Sequence, residues 1–464
     1  AFVNGGRDDG DAFTWTGDSD YDVEWGWFNT ISFGARYDDR NATQKNAPAP
    51  SGGPVDGTTL ADMPDDFTTF NTDEFFDGHP GVLQSWLVAD PDYVQSNQDQ
   101  LMSIYGFAPR TYNTVFEIGE KQVAAYLQGD FYTEVGNGFI DGRVGLRYLD
   151  VKTDISAPDA DGNFVDATNK NSTWLPSLML RWGITENLLA RASYTETFNL
   201  PSFADLNPYI NYVPDVTDIG YGTATGGNAD LEPIESKNID ISLEWYFAEG
   251  SVLYATYFNR DISNNIVPFR NAVVYDVPDD VPDRGEYTYI LSQPDNAGNA
   301  TLDGWEFGFT YFPELPGWLN GFGLQASYTS LDSEQELPIV DSTGNITGYD
   351  ISPIGGVSDS SYNVILAYDR DNFNARLSYF WRDDFYNNNE AALFANPLQV
   401  WRGAEESLDF QLTWLISDRW TATFDPTNLT QPTFNWNYGN EPDLFNFHNY
   451  FYSRTFSVGI RFQL

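Results

Sequence analysis

The chain has 464 residues, with 68 Asp and Glu against 23 Lys and Arg, a formal net charge of −45, and no cysteine. That balance argues against nucleic acid as a partner, which needs clustered Lys and Arg. The absent thiols exclude a disulfide framework, a thiolate metal site and a cysteine nucleophile.

Two histidines, His79 and His448, stand far apart without ligand spacing, which argues against a His-based metal centre or triad. No run of eighteen apolar residues occurs, so no transmembrane helix is expected, while transmembrane strands remain open. Ala1 opens the sequence without a signal-peptide pattern, and an upstream part is expected to be missing.

In chain order, strand-like segments fall at residues 28–40, 121–132, 139–154, 172–183, 188–198, 236–247, 251–261, 301–312, 322–332, 361–369, 373–382, 405–417, 420–429 and 454–464. Their common signal is period-two alternation. Ile239, Ile241, Leu243 and Trp245 alternate with Asp240, Ser242 and Glu244. Phe456, Val458, Ile460, Phe462 and Leu464 alternate with Ser457, Gly459, Arg461 and Gln463.

The connections alternate in length. TEVGNG, ITEN, AEG, PELPGWLNG, DRDN and SDR are short and have hairpin turn chemistry. Long polar connections cover 41–120, 155–171, 199–235, 262–300, 333–360, 383–404 and 430–453. Short turns at one end and long loops at the other predict an all-β, transmembrane antiparallel barrel of the outer-membrane kind. Its aromatic-rich apolar stripes would face lipid and its polar faces a wet lumen. Asp and Glu pairs fall mostly in the loops and read as a solvated face, so no enzyme activity is expected.

Motifs in the same order add a resemblance. YTETFNLPSFADLNP, from Tyr194, ends a strand at Pro201, because proline cannot donate to a ladder. The segment resembles the strand-end signature of TonB-dependent outer-membrane receptors. Gly227, Asn228, Leu231, Pro233, Glu235, Ser236 and Asn238 resemble that family's next motif, with Ile234 where an acidic residue usually stands. NATLDGWEFGFTYF and FDPTNLTQPTF resemble later strands, and EKQVAAYLQGDFY with GRVGLRYLDVKTD resembles a subgroup often linked to carbohydrate uptake. Outer-membrane barrels usually end in Phe, and this chain ends in Leu464.

The resemblance implies that residues 1–464 are the C-terminal part of one barrel domain, about 14 strands of a 22-stranded barrel. The N-terminal plug and the early strands have no counterpart here. It implies a Gram-negative outer-membrane location, outer-membrane lipid and the TonB energy-coupling complex as partners, the latter reached through the missing plug, and import of a small nutrient ligand, with a surface lipoprotein as a further partner.

The acidic balance favours a neutral oligosaccharide over an anionic ligand. A ferric siderophore or other metal chelate is the alternative, and a passive porin and a secreted acidic carbohydrate-binding β protein are the rivals. Candidate ligand residues are the loop aromatics and amides Tyr209, Asn211, Tyr212, Phe385, Tyr386, Asn387, Asn389 and Trp401, with Arg402, because flat rings stack on sugars while amides bond hydroxyls. No cofactor is expected. PDADGN, with Asp159, Asp161 and Asn163, partly resembles a calcium loop but lacks the bidentate Glu.

Overall fold

The computed structural model describes residues 5–47, 57–71, 85–106, 111–158, 163–213, 220–276, 286–340, 346–390 and 398–463. The candidate calcium residues Asp159 and Asp161, and His79, lie outside them.

The first strands are β1 (Gly5–Trp25), β2 (Phe28–Ala47), β3 (Thr68–Asn71), β4 (Trp86–Ala89), β5 (Asn113–Val135), β6 (Gly138–Pro158), β7 (Phe164–Thr185) and β8 (Leu188–Asn199). They continue as β9 (Ile210–Val213), β10 (Gly222–Gly226), β11 (Ile234–Ala248), β12 (Ser251–Asp276), β13 (Glu286–Tyr311), β14 (Phe322–Val340), β15 (Ile346–Ser352), β16 (Ser360–Arg370) and β17 (Phe373–Arg382). The last are β18 (Phe385–Glu390), β19 (Leu398–Arg402), β20 (Glu405–Ser417), β21 (Trp420–Thr427), β22 (Thr433–Tyr438), β23 (Asn446–Phe451) and β24 (Thr455–Phe462). No helix among the described residues is long and apolar enough to cross a membrane.

Two compact units carry these elements. The smaller holds Asp39–Glu120 with the flanking pieces Ala1–Phe13 and Asp154–Ala167. In it β3 pairs with β4, Asp90 caps the helix α1 (Pro91–Ser96) by accepting from the Tyr93 N–H at 2.9 Å, and Arg40 pairs with the buried Glu120.

The larger unit carries the meander β7–β8–β11–β12–β13–β14–β16–β17–β20–β21–β24, each strand antiparallel to the next. Every one of the fourteen expected strands is present. β1 is an additional one, and its alternation of Phe13, Trp15, Tyr21, Val23 and Trp25 escapes a sequence reading because Gly17 and Ser19 interrupt it. Two-residue turns close the hairpins at Gly26-Trp27, Gly136-Asn137, Glu186-Asn187, Glu249-Gly250, Asp371-Asn372 and Asp418-Arg419, and Gly26, Gly136, Gly250 and Asp371 adopt positive φ there.

Two predicted loops are largely strand. Segment 155–171 belongs mostly to β6 and β7, and in 262–300 the backbone stays paired to Asp276 and again from Glu286. One side of each is covered by protein, at Ile155 and Ala157 in β6 and at Val267, Tyr289 and Leu291 in β12 and β13, and the backbone stays paired although polar residues and prolines interrupt the apolar alternation that a sequence reading needs.

Register then divides the wall into two faces. One row crosses eight strands as Trp182, Ala190, Leu243, Ala255, Phe307, Tyr328, Tyr362 and Trp381, each directly opposite the next. The alanines lie between large neighbours, so rings fill the space above them. Leu243 and Phe307 are nonetheless 48% and 45% exposed, a face made for lipid. The row of opposite orientation reads Arg191, Ser242, Thr256, Glu306, Thr329, Ser361 and Arg382, polar throughout. Near the short turns on this face Tyr254 lies across Gly308, where a Cβ would come within 2.0 Å of the ring.

Candidate ligand-binding site

The strand-end signature proves to be a staple. β8 stops at Asn199, and Ser202 Oγ donates to Asp205 Oδ2 at 2.6 Å while accepting from the Asp205 N–H. The following motif docks on it: the Asn228 N–H donates to the Asp205 carbonyl at 2.5 Å, and Leu231 is fully buried. Asn238 Nδ2 reaches the Thr195 carbonyl and Thr197 Oγ1, both at 3.2 Å, tying β11 to β8. Asn264 takes positive φ at a register shift in β12, and its Nδ2 donates to Glu232 Oε2 at 3.1 Å. These motif residues fix where a long loop returns to the wall.

Beyond that staple, β9 pairs with β10, and β10 runs parallel to the outer part of β13. Tyr212 packs edge-on against the buried Tyr289, centroids 5.1 Å apart. The Tyr209 N–H donates to Asn207 Oδ1, and Asn211 is exposed.

The second group of candidates lies in a separate four-stranded sheet of β18, β19, β22 and β23. Phe385 is opposite Arg402, and Tyr386 is opposite Trp401. Phe385 is buried between two cations, with the Arg382 guanidinium 3.8 Å and the Arg402 guanidinium 5.8 Å from its centroid. Arg402 also lies 4.3 Å over Trp436. Tyr386 is buried, and burial raises its hydroxyl pKa. Trp401 Nε1 donates to Gln399 Oε1 at 3.1 Å, and the half-buried Asn387 donates to Asn388. Asn389 is a β18 residue paired with Gln399. The Tyr209 to Tyr212 group and the Phe385 to Arg402 group thus belong to different sheets.

Sequence reasoning missed the other half of this small sheet. Trp436, Tyr438, Phe447, His448 and Tyr450 form a continuous aromatic surface, with centroids of neighbouring rings 4.3 to 6.3 Å apart. Asn435 stands opposite Asn449 on the reverse face. The alternation in TFNWNY, with aromatics at every second place, is the signal that reveals it.

Beside this sheet, Asp384 is raised above the usual aspartate value, chiefly by burial and then by the charges of Asp383 and Asp359, while a hydrogen bond from Asn440 opposes the rise. Among the described residues no group of three or more acidic or imidazole side chains is placed to hold a metal ion. Asn163 is exposed.

On the inner wall, acids and arginines form a ladder across strands. Asp130 pairs with Arg143 at 2.6 Å, Asp141 with Arg181, Glu244 with Arg191 at 2.7 Å, and Asp240 with Arg260 at 2.6 Å.

The family model for the TonB dependent receptor-like β-barrel matches residues 2–429. The chain belongs to the TonB-dependent receptors. Barrels of this family reside in the Gram-negative outer membrane and serve transport.

A search of curated proteins finds no match. Among solved structures, the siderophore receptor PiuA from Acinetobacter baumannii is similar over 98% of this chain and 56% of its own, at 15% identity and TM-score 0.60. The ferric citrate transporter FecA in its unliganded form is similar over 99% and 55%, at 10% identity and TM-score 0.57. The ferric yersiniabactin uptake receptor FyuA from Yersinia pestis covers 99% and 55%, at 12% identity and TM-score 0.51. The TonB-dependent receptor chain described here therefore spans little more than half the length of those receptors, and shares their fold.

Proposed function

We propose that this chain is the C-terminal portion of a TonB-dependent receptor that captures a neutral oligosaccharide in its loops. The plug and the earlier strands would be supplied by sequence preceding it. In this reading the energised TonB complex acts on that plug to release the ligand inward, so the receptor binds and gates without bond chemistry. A surface lipoprotein would assist capture.

One observation carries the ligand class. The small loop sheet presents stacked aromatics beside amides, and its Arg402 and the adjoining Arg382 at the end of β17 are already stacked on Trp436 and Phe385 rather than displayed toward an anion. Rings and amides suit the faces and hydroxyls of a sugar, and a net charge of −45 disfavours an anionic chelate. The fold likeness to PiuA and FyuA favours a second reading, a ferric siderophore.

The test is a titration of the whole receptor, extracted from outer membranes in detergent, with neutral oligosaccharides and with ferric chelates, read by tryptophan fluorescence. Saturable quenching by the oligosaccharides alone is expected, with cellular uptake lost when TonB is deleted. Quenching by a ferric chelate alone would replace the ligand class.

A further inference from the structure

Lysine is scarce, with five in the whole chain, and four of them, Lys121, Lys152, Lys170 and Lys237, lie on strands of the larger unit. All four hold outward positions, whereas Arg143, Arg181, Arg191 and Arg260 of the same wall point inward to their acids. The inward side of β5 carries the buried Glu120 and Ala124, that of β6 Leu149 and Val151, and that of β7 Asn169. Lys121, Lys152 and Lys170 alternate with these and take the other side. Lys237 shares the outward side of β11 with Ile239, Ile241 and Leu243.

Three of the lysines form one row. Across β5 and β6, Arg143 pairs with Asp130 and Leu149 packs with Ala124, and three places further out the same register sets Lys152 opposite Lys121. Across β6 and β7, Tyr148 meets Trp174 at 4.9 Å and Ser156 Oγ donates to Asp166 at 2.6 Å. Midway between those pairs Lys152 stands opposite Lys170. Counted from the short turns, Tyr148 and Trp174 come about ten residues up their strands, where the hydrocarbon ends and aromatic girdles form. Trp174 is 59% exposed there. The lysine row lies beyond that girdle by about 13 Å along the strands, at the depth of lipid headgroups. Asp150 and Asp154 flank Lys152 on its own strand, while no hydrogen bond or ion pair among the described residues engages Lys170.

Beside Lys170 the wall parts. β7 pairs with β8 only as far out as Ser177 opposite Thr195, because Pro176 has no N–H to continue the ladder. β8 goes on paired with β11 to Asn199. β7 is tied instead to the signature loop, where Asn169 Nδ2 donates to the carbonyls of Ala229 and Leu231, both at 2.8 Å. The parting leaves a polar cleft of about 280 Å³ lined by Lys170, Ser172, Thr173, Glu235 and Asn264 among others. We propose that the lysine row and this cleft hold the phosphorylated sugar headgroup of an outer-leaflet glycolipid. The ammonium groups take the phosphate as compact point charges, as basic clusters beside a membrane do with anionic headgroups. In the cleft, sugar hydroxyls donate to Glu235 and accept from Ser172 and Thr173, and the rings of Tyr148 and Trp174 meet the first methylenes of the acyl chains. Charge confines the headgroup to this sector, because the outward positions beyond Trp305 are Asp303 and, opposite it, Asp332.

The experiment uses the whole receptor in a non-ionic detergent, titrated separately with diphosphoryl lipid A, its dephosphorylated form, phosphatidylglycerol and inorganic phosphate, with complexes counted by native mass spectrometry. The wild type is expected to retain one diphosphoryl lipid A and to bind the other three more weakly. The triple variant Lys121→Gln, Lys152→Gln, Lys170→Gln should bind it about tenfold more weakly or worse, while Arg376→Gln on the wet face should leave binding unchanged. Retained heat-modifiable mobility certifies that a variant barrel is folded, and the single Lys170→Gln serves if the triple variant fails that check. No retained lipid A in the wild type, undiminished retention in a folded lysine variant, or equal binding of the dephosphorylated form overturns the site. Equal binding of phosphatidylglycerol overturns the sugar part and leaves a general anionic surface. Saturable binding of inorganic phosphate without lipid A assigns the lysines to a free anion and overturns the glycolipid.

Discussion

The barrel wall and the small loop sheet solve the same problem, pairing strands of an acidic chain, in opposite ways. In the wall, each row has a single character from strand to strand, apolar outward and polar inward, so position is dictated by the medium on each side. The loop sheet buries side chains on both sides, Phe385 on one and Tyr386 on the other, and there specific contacts replace the rows: Phe385 beside Arg382 and Arg402, and Arg402 over Trp436. A wall repeats a rule, whereas a loop sheet depends on individual residues, and substitutions should separate the two.

The largest effect is expected in the loop sheet. Phe385→Ala removes a buried ring and both cation–π contacts, at about 3–5 kcal/mol for a fully packed phenylalanine. The loss should be confined to β18, β19, β22 and β23 as faster amide hydrogen exchange, with the barrel's unfolding unchanged; a lower barrel stability would erase the distinction between the two regions.

Next comes the outer face, where Ile241→Arg should cost about 2–4 kcal/mol in bilayer unfolding titrations. Thr329→Arg, on the wet face between Glu306 and Ser361, should cost less than about 1 kcal/mol. Equal costs would sink the assignment of faces.

A smaller loss, about 1–3 kcal/mol, is expected for Asn238→Leu, which leaves the Thr195 carbonyl and Thr197 hydroxyl without their donor. It should appear as loosened pairing between β8 and β11.

The smallest effect is a pH dependence. Asp384 has a raised pKa, from burial first and then from Asp383 and Asp359. The folded loop therefore holds a proton that the unfolded loop gives up at the ordinary aspartate value. Loop protection should be greatest below that value and fall as pH rises through the interval up to the raised one. Asp384→Asn should flatten this dependence in hydrogen exchange, and a slope that persists in the variant would assign it to another group.

How much of this was legible depended on the medium as well. Residues 239–245 announce their strand because lipid and water impose alternation on them. β1 hides because Gly17 and Ser19 break the apolar stripe, and the outer halves of β12 and β13 hide because Asn265, Pro268, Pro294 and Asn296 interrupt theirs, while the partner that buries Tyr289 and Leu291 lies far away in sequence, on β10. The candidates Phe385 and Trp401 were visible by type, yet their partners were not. That Arg402 stacks on Trp436, 34 positions later, follows from the pairing of β19 with β22, which no local pattern states. The motif around Pro201 and Asn238 was readable as a resemblance, while its work as a staple emerged only from its hydrogen bonds.

The length of β12 and β13 bears on reach. Each has 26 residues, and about ten tilted residues suffice to cross the hydrocarbon. At about 3.3 Å per residue the remainder makes a cantilever some 50 Å long. A bulge bends and over-twists a strand, and the one at Asn264 sits near the root of this arm, clamped by Glu232 from the neighbouring signature loop. The heading of the arm is thus set at its base, where a small change of backbone angle sweeps its far end through a wide arc.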